Sequence, residues 1–320
     1  MIVLVEHSAG EPDELSLQAL AFARACGATP VGLLMGASGA EVAGALGRHG
    51  VAQAYVAEHD GLEGGFAPDA WAAAAAELLS LTGAPALVAA GSDRGNDVLA
   101  RVGARIEQPL AANCLEAHAG DDGWRVVRVR WGGSLLEEAA LHGDPALLTV
   151  APHAVAAAPV DEPPQSAVEA FVPALRDEDL RVRALERVAS GGGIALGDAR
   201  VVVSGGRGVG SAEGFAVIEE LAELLGGAVG CSRAVTMAGW RPHSDQVGQT
   251  GTKIAPEIYI ACGISGATQH MAGCKGAKRL LAINPDAEAP ILAAADYAVI
   301  GDLHEVVPAI SAAVREARVP

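Results

Sequence analysis

Short apolar runs alternating with amphipathic stretches organise the first half of this chain. Ile2 to Glu6, Pro30 to Met35, Gln53 to Val56 and Ala86 to Ala90 have the length and content of buried strands. Between them, Asp13 to Ala25, Gly39 to Arg48 and Ala70 to Leu81 carry helical spacing, with Leu15, Leu17, Leu20 and Phe22 in the first. Val98 to Ile106 repeats that spacing after the turn Gly91-Ser-Asp-Arg-Gly-Asn96. Strands and helices alternating at this pitch predict βαβ units and a mainly parallel sheet. The period then changes. Trp124 to Trp131 alternates as a half-exposed strand does, and Ala146 to Val150 reads as buried, which together suggest an antiparallel extension. Val155 to Pro173 holds several prolines and little regular pattern, and Leu180 to Val188 reads as one more strand.

Ser190-Gly-Gly-Gly193 is the clearest hinge, so the expected domains are residues 1–189 and 190–320. The second opens with a strand, Arg200 to Ser204, and a helix, Glu213 to Leu225, whose Phe215, Ile218, Leu221 and Leu225 share a face. Strands follow at Ile258 to Cys262, Arg279 to Ile283 and Tyr297 to Ile300, then a closing helix, Leu303 to Arg318. The expected fold class is α/β with two domains, each a mainly parallel sheet with flanking helices. The N-terminal one looks nucleotide-binding-like and the C-terminal one Rossmann-like.

Composition narrows the function. The 320 residues are 51% hydrophobic and 19% charged, enough to build real cores. The formal net charge of −17 argues against nucleic acid, which needs clustered cations. Five cysteines (Cys26, Cys114, Cys231, Cys262 and Cys274), odd in number and without a C-x-x-C pair, read as reduced thiols. A strand begins at the first residues, so no signal or transit peptide is expected. No apolar run approaches the ~20 residues of a membrane helix. The expected location is cytoplasmic.

The candidate chemistry lies in three polar clusters: Cys231-Ser232-Arg233, Gln246-Val247-Gly248-Gln249-Thr250-Gly251 and Gly263-Ile264-Ser265-Gly266-Ala267-Thr268-Gln269-His270. Glycines let backbone approach a ligand, while Ser, Thr, Gln, Arg and His supply donors without carboxylates. Such a set suits an anionic or carbonyl-rich ligand. The Gly205 turn resembles a dinucleotide fingerprint, but from Gly206 it runs Gly-x-Gly-x-x-Ser. Cys231-Ser232-Arg233 stands where an NAD binder places an acid, so a plain NAD dehydrogenase does not fit. An anion at that turn, beside Arg207, does. The Gly91 turn could hold an anion, or be an ordinary loop capped by Ser92 or Asp93. Arg233 reads either as one half of a salt bridge or as a cation over a cofactor that gains negative charge. His270, near the start of a short helix that Ser265 or Thr268 could cap, reads as a core histidine or a cofactor contact. Its i,i+4 spacing to Cys274 permits a metal pair but supplies no third ligand. Ser265 lacks the Gly-x-Ser-x-Gly context of a nucleophile, and no P-loop motif occurs. No catalytic residue and no metal ligand is expected.

In order along the chain stand Val202-Val203-Ser204-Gly205-Gly206-Arg207-Gly208, Ser232-Arg233-Ala234, Ala238-Gly239-Trp240, the Gln246 and Gly263 clusters, and Ala282-Ile283-Asn284. Ala289-Pro290-Ile291, Ala295-Asp296-Tyr297, Gly301-Asp302-Leu303 and Val306-Val307-Pro308 continue the series. This closely resembles the FAD-binding domain of the electron transfer flavoprotein α subunits, over essentially all of Ala199 to Ile310. The first half resembles the same subunit more loosely, through Leu4-Val5-Glu6-His7 and the helix with Arg101.

The resemblance implies that residues 190–320 bind FAD. It places Arg233 over the flavin, favouring the anionic semiquinone, Thr250 at N5 and His270 at the C2 carbonyl. Ser232, Gln246, Gln249 and Ser265 match other FAD contacts, within the segments Gln246 to Gly251 (with Val247, Gly248 and Gly251) and Ser265 to His270 (with Gly266 and Gln269). Arg207, Asn284 and Asp302 match the pyrophosphate and adenosine side. The resemblance also implies a heterodimer whose β subunit holds AMP. It implies electrons taken from flavoprotein dehydrogenases, such as those of acyl-CoA in fatty acid oxidation, and given to a quinone oxidoreductase. A bifurcating relative, or a module that holds FAD or ADP without redox turnover, are the alternatives. The sequence departs from the family at Met237 (usually aspartate), Cys274 (commonly methionine), Leu292 (usually phenylalanine) and Arg130-Trp131-Gly132-Gly133.

Overall fold

The computed structural model describes residues 1–8, 10–63, 65–133, 135–184, 194, 196–197 and 199–318. The chain divides into two compact units, residues 1–187 and 188–320. The expected hinge at 190–193 lies outside the described residues.

Besides a short antiparallel pair, His7–Ser8 with Glu11–Pro12, the strands of the first unit are β1 (Ile2–Leu4), β2 (Val31–Met35), β3 (Gln53–Ala57), β4 (Ala86–Ala90), β5 (Leu110–Gly120), β6 (Gly123–Arg130), β7 (Leu135–Leu141), β8 (Ala146–Val150) and β9 (Ala167–Phe171). They form one sheet in the order β9-β3-β2-β1-β4-β8-β5-β6-β7. Pairing is parallel from β9 to β5, and β5-β6-β7 is an antiparallel meander, as the alternation at Trp124 to Trp131 predicts. The register sets Arg128 opposite Glu137, and the two form an ion pair. Helices α1 (Glu14–Ala25), α2 (Pro68–Thr82) and α3 (Asp93–Ile106) supply the main cover. The central strands are apolar at successive positions because both faces are covered. Val3, Leu34 and Val88 enter one core, and Leu4, Leu33 and Leu87 the other.

Three expectations change. The segment from Gly39 to Arg48 is a short α-helix, Gly39–Ala43, running on as a 3-10 turn, Gly44–His49. The proline-bearing stretch contains β9, whose Ala167 to Ala170 are exposed, so no buried face marks it in the sequence. Residues 180–184 are no strand, since Asp177–Leu180 is a 3-10 turn; the remainder of that expected strand lies outside the described residues.

The second unit holds β10 (Val201–Gly205), β11 (Ala228–Cys231), β12 (Ile258–Cys262), β13 (Leu280–Asn284) and β14 (Tyr297–Ile300), all parallel, in the order β11-β10-β12-β13-β14. Helices α4 (Ala216–Leu225), α5 (Arg233–Met237), α6 (Thr268–Cys274) and α7 (Leu303–Ala317) connect or follow them. Val202 and Tyr259 pack on one face of the sheet, and Val203 and Ile260 on the other with Phe215, Ile218 and Leu221 of the α4 region. The chain leaves β10 for one neighbour, β11, and returns to the other, β12. That reversal opens a crevice at the carboxyl ends of β10 and β12, where open α/β sheets receive ligands.

Candidate functional site

Register brings the polar clusters together. Gly205 pairs with Cys231 on one side and Cys262 on the other, so the segments beginning at Gly206, Ser232 and Gly263 leave the sheet side by side. They are tied by backbone bonds from Gly206 N to Cys262 O (2.8 Å), Gly208 N to Gly263 O (3.1 Å) and Ser232 N to Gly205 O (3.0 Å). This contact demands glycine: a Cβ on Gly206 would lie 2.1 Å from the Gly263 carbonyl oxygen, and Gly263 has φ +63°. The Gln246 cluster joins the same edge. Val247 N donates to Cys231 O (2.9 Å), and Thr252 N closes the loop onto Gln246 O (2.7 Å). Arg241 braces the approach to that loop, bonding Asp245 at 2.9 Å and lying over the Phe215 ring.

Two clefts result. One, of about 340 Å³, is bordered by Arg207, Ser232, Arg233, Ser265, His270 and Asn284, with exposed Asp286 also on its lining. The other, of about 370 Å³, is bordered by Arg233, Thr236, Met237, His243, Gln246 and Thr250. Arg233 belongs to both. Neither Arg207 nor Arg233 has an ion-pair partner among the described residues, so the salt-bridge reading of Arg233 does not hold there. Of the sequence candidates, Val247, Gly248, Gln249, Gly251, Gly266, Gln269 and Asp302 border neither cleft. Gln249 N bonds the Gln269 carbonyl at 2.7 Å and so ties two of the clusters. Gly266 packs against Ile291, and Asp302 caps α7 by accepting from His304 N at 2.9 Å. Sequence reasoning missed Thr236, Met237 and His243 as cleft residues. Helical spacing from Arg233 could have found the first two, whereas His243 is placed only by its turn.

His270 is buried. Its Nε2 shares a hydrogen bond of 2.7 Å with the hydroxyl of fully buried Tyr259, and the two rings stack at 6.0 Å between centroids. Burial pushes the imidazole down to about 4, with the Val247 backbone pulling weakly the other way, so the ring is neutral at pH 7. Its Nδ1 is buried beside the Val247 backbone, without a hydrogen bond of full geometry. Neither Ser265 nor Thr268 caps α6, whose cap position is Ala267 without a side-chain bond. Among the described residues no three His, Cys, Asp or Glu side chains gather as a metal site.

At the carboxyl end of β1 in the first unit, a side chain of the chain itself meets the start of α3. Glu6 is buried after β1, and its carboxylate accepts the Ser92 hydroxyl, whose oxygen in turn accepts Gly95 N (2.8 Å) at the start of α3. Burial pushes the Glu6 carboxyl up, and the Ser92 bond offsets part of that. The Gly91 turn is thus the capped loop of the two readings offered by its sequence.

The match to known families covers both units. Residues 1–175 match the electron transfer flavoprotein domain, and residues 195–275 match the electron transfer flavoprotein FAD-binding domain. The chain is 38% identical over 312 residues to the electron transfer flavoprotein subunit alpha of Mycobacterium leprae (strain TN), covering 97% of this chain and 96% of that one. It is 39% identical over 317 residues to the same subunit of Mycobacterium tuberculosis (strain ATCC 25618 / H37Rv), covering 98% of each. Protein FixB of Clostridium saccharobutylicum is 36% identical over 324 residues, 98% of this chain and 96% of that protein.

Proposed function

This chain belongs to the electron transfer flavoprotein α-subunit family, and from that premise we propose that its second unit binds FAD across the two clefts that meet at Arg233. The shared unpaired cation carries the reading. Two features fit a flavin dinucleotide: two arginines without ion-pair partners among the described residues, and Ser, Thr, Gln, Asn and His side chains gathered on the clefts around them. Once bound, the flavin supplies one-electron chemistry, and the chain supplies binding and electrostatics.

Arg207 and Asn284 would hold the pyrophosphate and adenosine half, and Ser232 and Ser265, on the same cleft, would add further FAD contacts. Arg233 sets positive charge against a ring that gains negative charge on reduction. At ~4 Å such a pair is worth ~1 kcal/mol in water and ~4 kcal/mol at an effective dielectric of 20. Thr250 would hydrogen-bond ring N5, and neutral His270 would serve the C2 carbonyl. In this reading the chain pairs with a β subunit that holds AMP. It takes electrons from flavoprotein dehydrogenases, such as those of acyl-CoA, and passes them to a quinone oxidoreductase. Among the described residues no helix is long and apolar enough to cross a membrane, which suits a carrier that meets its acceptor at a surface.

The test is co-expression with the β subunit encoded by the same organism, followed by spectroelectrochemical titration of the purified pair. Stoichiometric FAD reduced in two one-electron steps, with the first displaced in Arg233→Ala, supports the reading. A pair that retains ADP and takes up no flavin sinks it.

A further inference from the structure

We propose that Thr236 and Gln246 form a two-way hydrogen-bond relay that lets the Thr250 hydroxyl act as a donor toward the oxidised ligand and as an acceptor toward the reduced one. The proposal rests on the flavin reading above.

Gln246 is 3% exposed, and its amide lies between two hydroxyls of the cleft bordered by Arg233. Thr236 Oγ1 is 2.8 Å from Gln246 Oε1, and Gln246 Nε2 is 3.0 Å from Thr250 Oγ1. A buried primary amide must be satisfied at both ends, because stranding either one costs the full desolvation of that group. Thr236 has a second acceptor in reach, the Arg233 carbonyl at 2.9 Å. A hydroxyl carries one proton and two lone pairs, so this second acceptor gives the chain two complete arrangements.

In the first arrangement, Thr236 donates to Gln246 Oε1 and Gln246 Nε2 donates to Thr250, whose own proton is then offered to the cleft. In the second, the amide is turned over. Thr236 donates to the Arg233 carbonyl and accepts from Nε2, while Oε1 takes the Thr250 proton and leaves a Thr250 lone pair facing the cleft. Oxygen and nitrogen of a carboxamide occupy nearly the same space, so the exchange needs no backbone movement. A flavin N5 is a lone-pair acceptor when oxidised and an N–H donor when reduced, and the two arrangements match these two demands. Without the Thr236 hydroxyl, one end of the buried amide would be unpaired in either arrangement. Thr236 is therefore a positioning residue, acting on the ligand through Gln246 and Thr250.

The test uses the co-expressed heterodimer with isotope-labelled glutamine and with FAD labelled at N5, followed by NMR in the oxidised and fully reduced states. The Gln246 side-chain protons are expected to cross-relax with the Thr250 methyl when oxidised and with the Thr236 methyl when reduced. Thr236→Val, which removes the hydroxyl at almost unchanged shape, should move the N5 resonance toward that of free FAD. It should also change the equilibrium constant for reduction about two- to tenfold, the range of one hydrogen bond. Tenfold corresponds to ~59 mV per electron. Thr236→Ser should restore both. An amide with the same cross-relaxation in both states overturns the relay, as does a Thr236→Val pair with the wild-type N5 resonance. The wild-type comparison stands even if Thr236→Val fails to fold. Bound FAD with a static amide overturns the relay alone, whereas a wild-type pair that takes up no flavin overturns the flavin reading and the relay with it.

Discussion

Acidification should loosen the second unit through His270. The ring is buried and hydrogen-bonded to Tyr259, and its folded-state pKa of about 4 lies below the ordinary 6.5. The sign follows from proton counting. Below pH 6.5 the unfolded chain takes up a proton that the folded one refuses until about pH 4, so stability falls as pH drops through that window. Linkage gives a loss of about 2 kcal/mol between pH 7 and pH 5, rising to about 3 kcal/mol at pH 4. Hydrogen exchange at the β12 amides of the heterodimer, corrected for intrinsic rates, reads this locally. His270→Gln should be less stable than wild type at pH 7, having lost the Tyr259 contact, but should lack the extra slope below pH 6.5. An imidazole that titrates near 6.5 in the folded protein, or a variant that keeps the wild-type slope, would refute the reasoning.

Other consequences are as direct. Arg233→Ala removes a cation with no ion-pair partner among the described residues and should lower the potential of the first electron by roughly 40 to 170 mV in a spectroelectrochemical titration, with flavin retained. Gly206→Ala would drive a methyl against the Gly263 carbonyl oxygen at 2.1 Å, so we expect a loss of at least 1–3 kcal/mol, together with lost flavin absorbance per polypeptide. Ser92→Ala removes both the cap of α3 and the partner of buried Glu6, and should cost the first unit about 1–2 kcal/mol in denaturant unfolding. A Ser92→Ala protein with an unchanged midpoint would show that the Glu6 contact contributes nothing.

Much of this architecture is written locally. Both sheets are largely parallel and covered on two faces, so strands such as Val201–Gly205 and Ile258–Cys262 are unbroken apolar runs that announce themselves. The polar clusters are legible for a related reason: each follows or joins such a strand at its carboxyl end, where side chains no longer need to be apolar. β9 was not legible, because an edge strand with exposed residues has no buried face to impose a pattern. What only the tertiary structure decided are the pairings between side chains on separate segments. Glu6 meets Ser92 86 residues away and so ties the end of β1 to the cap of α3. Tyr259 meets His270, which burial keeps neutral, and Gln246 is set between Thr236 and Thr250. Gln246, Thr250 and His270 stand out in the sequence as members of polar clusters, but their partners Thr236 and Tyr259 do not. A hydrogen bond between side chains depends on where two strands or turns come to lie, and that position is fixed by packing of the whole unit rather than by any window of sequence.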